Sequence, residues 1–220
     1  MTVSPVELVV AWAFTGGAAA TLTGYAIRHH EQPTSPWHTV AQVLTTAALF
    51  AALAWRLGPR TALLAPSWLA ATGVALAATD LRARQLPNQL VLPSYLAIPS
   101  LAALSTLTGT HTSALIRATL GMAAVLTCYA LLYTVFPGQL GGGDLKIAGP
   151  IGFLLAWQSW SALLTGTLLT WVLAALTLPL STVAPSRTAV ASLPLGPFLI
   201  GATLATTLLL PWDPSTAPSP

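Results

Sequence analysis

Residues 113–136 read SALIRATLGMAAVLTCYALLYTVF, and from Ala118 to Phe136 they hold no charged side chain. A bilayer span needs roughly 20 mostly apolar residues, so this run is long enough to cross. It is continuous and rich in Ala and Leu. A barrel strand would instead alternate apolar and polar positions. A helix satisfies its backbone hydrogen bonds internally and needs no such alternation. Outward from this run the same pattern recurs. Candidate helices fall at 6–27, 38–56, 61–79, 89–108, 113–136, 144–157, 159–182 and 193–211. The expected fold is therefore all-α, a polytopic transmembrane helix bundle of about eight helices, forming one domain over residues 1–212. The tail 213–220 is expected to be disordered. The segment 144–157 is the weakest, because it is short and holds Gly149-Pro150 and Gly152. It reads as tilted, broken or fused to the next helix. No internal repeat is visible.

Composition points the same way. The chain is 55% hydrophobic and 6% charged, whereas a soluble domain carries about 25% charged residues. Too few charges remain to cover a water-facing surface, and the lipid bilayer is the expected environment. The net charge of +3 does not indicate a nucleic-acid partner, since the eight basic residues are scattered. They serve as topology markers. With the N-terminus outside, Arg28, Arg82, Arg84, Lys146 and Arg187 are cytoplasmic, and Arg56, Arg60 and Arg117 are external. Asp80 and Asp144 then share the cytoplasmic side. The single cysteine, Cys128, excludes an intrachain disulfide and a CxxC zinc site. It reads as a small buried packing residue. Ser4-Pro5-Val6-Glu7 has the pattern of a capping box opening a retained helix. His29, His30 and Glu31 read as solvated loop residues, so no metal and no other cofactor is expected.

The chain has five carboxylates. Glu7, Glu31 and Asp213 fall at a helix start, in a loop and in the tail. Asp80 and Asp144 each lie where an apolar helix meets a short polar stretch. An acid at membrane depth costs about 2.5–3.5 kcal/mol on insertion scales and marks a functional site by default. The competing reading is that both acids only mark helix ends, with Asp80 paired to Arg82 or Arg84 and Asp144 at a helix N-terminus. The neighbours shift that balance. Asp144 follows Gly141, Gly142 and Gly143, which lack side chains and would let a peptide lie close by. Asp80 precedes Leu86-Pro87-Asn88. Pro87 disfavours helix at Leu86, and Asn88 is a good N-cap for the following helix.

With those segments in view, the sequence resembles the type IV prepilin peptidases, membrane aspartic proteases that process pilin precursors and pseudopilins. Three segments carry the likeness. Asp80 followed by Leu86-Pro87-Asn88-Gln89-Leu90-Val91-Leu92-Pro93 is similar to the family's Asp and Pro-Asn/Asp-x-Leu-Thr-Leu-Pro. Gly141-Gly142-Gly143-Asp144-Leu145-Lys146 matches Gly-x-Gly-Asp with its following lysine. Leu193-Pro194-Leu195-Gly196-Pro197-Phe198-Leu199 is close to Pro-Phe-Gly-Pro-Phe-Leu. Leu195 replaces a Phe and Val91 a Thr. Larger members carry a cytoplasmic insert with zinc-binding cysteines and also methylate the new pilin N-terminus. Here only a short cysteine-free loop, Arg28 to Trp37, stands there, so the resemblance implies the peptidase-only form.

The resemblance implies Asp80 and Asp144 as the catalytic pair. Gly141, Gly142, Gly143, Lys146, Pro87 and Asn88 would bind substrate or shape the site. Lys146 also reads as an interfacial anchor. Two carboxylates in one site cannot both ionise easily, so one keeps a proton, and their titration belongs to the pair. The implied substrates are prepilin or pseudopilin precursors with a short basic leader before an apolar helix, cut at the cytoplasmic face. Two alternatives stay open: a proton-coupled membrane transporter, and a preflagellin-type peptidase.

Overall fold

A backbone in lipid must bond to itself, and the chain meets that demand with helices alone among the described residues. The structure is a computed structural model, and it describes residues 4–28, 36–84, 86–107, 112–138, 140–182 and 195–212. The elements are α1 (Pro5–Arg28), α2 (Pro36–Leu57), α3 (Leu64–Ala83), α4 (Asn88–Thr106), α5 (Thr112–Val135), α6 (Gly142–Gln158), α7 (Trp160–Thr182) and α8 (Gly196–Leu209), with a 3-10 turn over Thr61–Leu63 leading into α3. Five segments, on α1, α2, α3, α5 and α7, are long and apolar enough to cross a membrane.

The expected helices all appear, each within a few residues. The opening capping box forms: Glu7 N–H donates to Ser4 Oγ at 3.2 Å, and Ser4 N–H donates to Glu7 Oε2 at 2.9 Å. The weak segment 144–157 is one helix, neither broken at Pro150 nor fused to α7. It is also the centre of the bundle. Every residue from Ile147 to Gln158 is buried, with α4, α5, α7 and α8 around it. Its glycines explain the close fit. A Cβ on Gly152 would stand 2.9 Å from the carbonyl oxygen of Gly121 on α5, a small-residue crossing of the kind that replaces hydrophobic drive inside lipid.

Cys128 corrects an expectation, for it is exposed on α5. In a bilayer the outer surface is as apolar as the core, so hydropathy does not tell one from the other. The loop residues His29, His30 and Glu31, the tail from Asp213, Arg187, and Leu193-Pro194 lie outside the described residues. Among the described residues no three of His, Cys, Asp and Glu come together as a metal-binding group.

The two short helices α6 and α8 are held at their C-terminal ends by arginines. Arg117 of α5 donates from Nε to Ala156 O at 2.7 Å and from Nη2 to Trp157 O at 2.8 Å. Arg56 of α2 donates from Nε to Leu208 O at 3.0 Å. Both guanidiniums satisfy carbonyls that have no partner inside their own helix and complement its negative end.

α3 runs past its expected end at residue 79 and closes on Arg84, which sits in the left-handed region at φ 51°, its N–H bonded to Asp80 O at 2.9 Å. Glycine occupies this C-cap conformation without penalty. Arg84→Gly is expected to raise stability by about 1 kcal/mol, read as a higher Tm in detergent micelles. A lower Tm would count against this cap.

Candidate active site

Asp80 stands in the last turn of α3, the negative end of its own helix dipole. That is a poor place for an acid that only marks a helix end. The structure supplies a different partner. Asp80 is 5% exposed, and its carboxylate accepts from the backbone N–H of Gly196, the first residue of α8. Arg82 and Arg84, offered as partners by the sequence, are exposed. Among the described residues neither bonds the carboxylate.

Asp144 reaches the same point from the opposite kind of helix end. The N-cap of α6 is Gly141, so Asp144 is the third helical residue. There a side chain can turn back to the N-cap N–H, as in a capping box. Asp144 does so, accepting from Gly141, and accepts also from Leu195 and Gly196 of α8. It is 4% exposed. The first N–H groups of a helix have no internal acceptor, and the N–H groups of Gly141 before α6 and of Leu195 and Gly196 at the start of α8 are spent on these two acids.

One oxygen of each acid is left over. Asp80 Oδ2 and Asp144 Oδ1 are buried and have no protein partner. A Cβ placed on Gly196 would lie 2.6 Å from the first and 3.5 Å from the second. The two free oxygens therefore converge on one small space that glycine keeps open. Leaving a buried acceptor unpaired costs about 1–3 kcal/mol, more for a charged group. Such a cost is typical of a site kept ready for chemistry.

The other expected residues divide. Asn88 is not the N-cap of α4. Pro87 is, and Asn88 is the first helical residue. Its side chain instead accepts from Lys146 Nζ at 3.0 Å. Tyr95 donates its hydroxyl to Lys146 O at 2.7 Å. Lys146 thus works as a strut that stitches the start of α6 to the start of α4. Gly143 does not face open space, because a Cβ there would meet Leu86 Cδ1 at 2.6 Å. Leu86 fills the room that the sequence seemed to leave for a peptide. Gly142 is exposed with nothing within 4 Å of its Cβ position, and Gly141 lies against Asp144.

The sequence reading did not single out Leu195 and Gly196 as site residues. The signal was in hand, since Leu195-Gly196-Pro197 places a side-chain-free residue beside a proline that starts a helix. Tyr129 was also missed. It is a buried tyrosine on α5 whose hydroxyl has no protein partner.

A comparison with the curated proteins and one with the solved structures gave no match. The model of the type IV leader peptidase family matches residues 63–210. That stretch runs from the start of α3 to the end of α8 and so contains both acids, the glycine run and the Leu-Gly-Pro turn. With its paired acids set in a membrane-spanning helical frame, and with more than half its length matched, this chain belongs to the type IV leader peptidase family.

Proposed function

We propose that the protein is an intramembrane aspartic endopeptidase that removes the short basic leader from type IV prepilin-like or pseudopilin precursors, with Asp80 and Asp144 as its catalytic pair. The observation that carries this reading is the convergence of the two unpartnered carboxylate oxygens at Gly196. Two carboxylates this close share one proton. The ionised partner takes a proton from water, and the resulting hydroxide attacks the scissile carbonyl carbon. The protonated partner donates to the carbonyl oxygen as the centre becomes tetrahedral. On collapse the C–N bond breaks, and the leaving nitrogen takes up a proton. Such proton transfers contribute about 10²–10⁴-fold each. A proton relay through a transporter would spread acids across the membrane. These two meet at one level, which favours the peptidase.

The charge pattern supports a cytoplasmic site. Arg56 and Arg117 are engaged at the C-terminal ends of α8 and α6, so their presence at the far side has a structural cause. Setting them aside leaves Arg60 there, against Arg82, Arg84 and Lys146 at the aspartate end. That bias is the positive-inside pattern.

The test is mass spectrometry of membrane-protein N-termini in cells with and without this protein. The expected result is a set of precursors that keep a short basic leader only when the protein is absent. Identical N-termini in the two membranes would defeat the reading.

A further inference from the structure

This inference rests on the catalytic reading of Asp144. The helix α5 meets its neighbours through the buried stripe Ala114, Ala118, Gly121, Val125 and Tyr129. Its register against α6 is antiparallel. A Cβ on Gly121 would meet Ala156, and one on Gly152 would meet Val125 Cβ at 2.8 Å. One helical turn beyond Val125 is Tyr129, and one turn before Gly152 is Ala148. Tyr129 therefore comes level with Ala148, a single turn from Asp144.

Tyr129 is 2% exposed, and its hydroxyl is buried without a protein partner. Its ring is set against Trp171 of α7, centroids 6.0 Å apart. A phenylalanine would fill the same space without the cost of an unpaired hydroxyl, about 1–3 kcal/mol. Packing alone thus gives no reason for a tyrosine here. Tyr129 Oη, Asp144 Oδ1 and Asp80 Oδ2 are all buried without a protein partner, and the two carboxylate oxygens meet at Gly196. A buried water takes two to four polar partners, about three on average.

We propose that Tyr129 is a positioning residue for Asp144. Its hydroxyl holds a water against Asp144 Oδ1 and so aims that carboxylate at the scissile bond. The effect is on turnover and not on substrate binding, because the contact is made beneath the site and not with the precursor.

The test uses the full chain in lipid vesicles with a synthetic precursor of basic leader and apolar helix. Tyr129→Phe is expected to lower kcat about tenfold with KM changed less than about twofold. Its Tm should stay close to the parent's, since a phenylalanine fills the same space and only the hydroxyl's contact with the water is lost. Tyr133→Phe, exposed on the same helix, should leave kcat unchanged. An unchanged kcat in Tyr129→Phe, a loss confined to KM, or a loss matched by a fall in Tm would overturn the proposal. Asp144→Asn in the same vesicles separates the two ideas. If it still cleaves, the catalytic reading fails first. If it is dead while Tyr129→Phe is fully active, only the positioning role fails.

Discussion

Asp80→Asn and Asp144→Asn are each expected to stop leader removal, cutting turnover by about 10²–10⁴-fold or more. In the proposed mechanism neither acid works alone. Asparagine keeps the shape and can still accept from Gly196, Leu195 or Gly141, but it cannot carry or release the shared proton. Residues that act as one unit give non-additive losses. The double variant should therefore be no worse than either single one. Stability should move the other way. Each change replaces a buried carboxylate facing another with a neutral amide, so Tm should hold or rise, as is common where a site is strained for activity. Processing of a co-expressed precursor, followed by gel shift and N-terminal mass spectrometry, reads the first effect. Cleavage retained in either variant would remove that acid from the mechanism.

Gly196→Ala should cost nearly as much without touching an acid. Its added methyl would sit 2.6 Å from Asp80 Oδ2 and 3.5 Å from Asp144 Oδ1. One of the carboxylates must give way. The backbone at Gly196 is not in the left-handed region, so alanine meets no conformational barrier there and the penalty is steric. A displacement of about 1 Å in a catalytic group costs on the order of 10²-fold, and kcat/KM is expected to fall by about that much. Gly201→Ala is the control on the same helix. Its Cβ would meet nothing within 4 Å, and removing a helical glycine adds up to about 1 kcal/mol of stability. Full activity in Gly201→Ala beside loss in Gly196→Ala would localise the effect to the carboxylate pair. Full activity in both would mean that the pair does not meet at Gly196.

The frame was legible from the sequence because one physical demand sets it. Apolar runs in lipid must be helical, and eight such runs read as eight helices. Their partners were much less legible. A helix packed in lipid shows no polar outer face, so the burial of Ile147 to Gln158 and the exposure of Cys128 left no mark in hydropathy. The site was half legible. The two acids stand out in a chain with few carboxylates, and their placement at helix ends is local information. What joins them is not local. The backbone N–H groups of Leu195 and Gly196 have no side-chain signature, and Leu86 meets Gly143 across more than fifty positions of chain. Asn88 was read as a cap because the cap preference is a local statistic. Lys146, which claims its side chain, is distant in sequence and near only in the fold.

The contribution of α8 has a consequence for how the protein is made. Asp80 and Asp144 both lean on the first residues of α8. A chain emerging from the ribosome inserts both acids well before α8 is synthesised. Until that helix docks, the acids lack donors from Leu195 and Gly196, and nothing holds their free oxygens to a common point. Assembly of the pair therefore waits for α8 to dock. An unfinished or C-terminally truncated chain would sit in the membrane with both acids and no working pair. On the proposed catalytic reading, the pair would become competent only once α8 has docked against α3 and α6, so the packing of one helix would itself time the onset of activity.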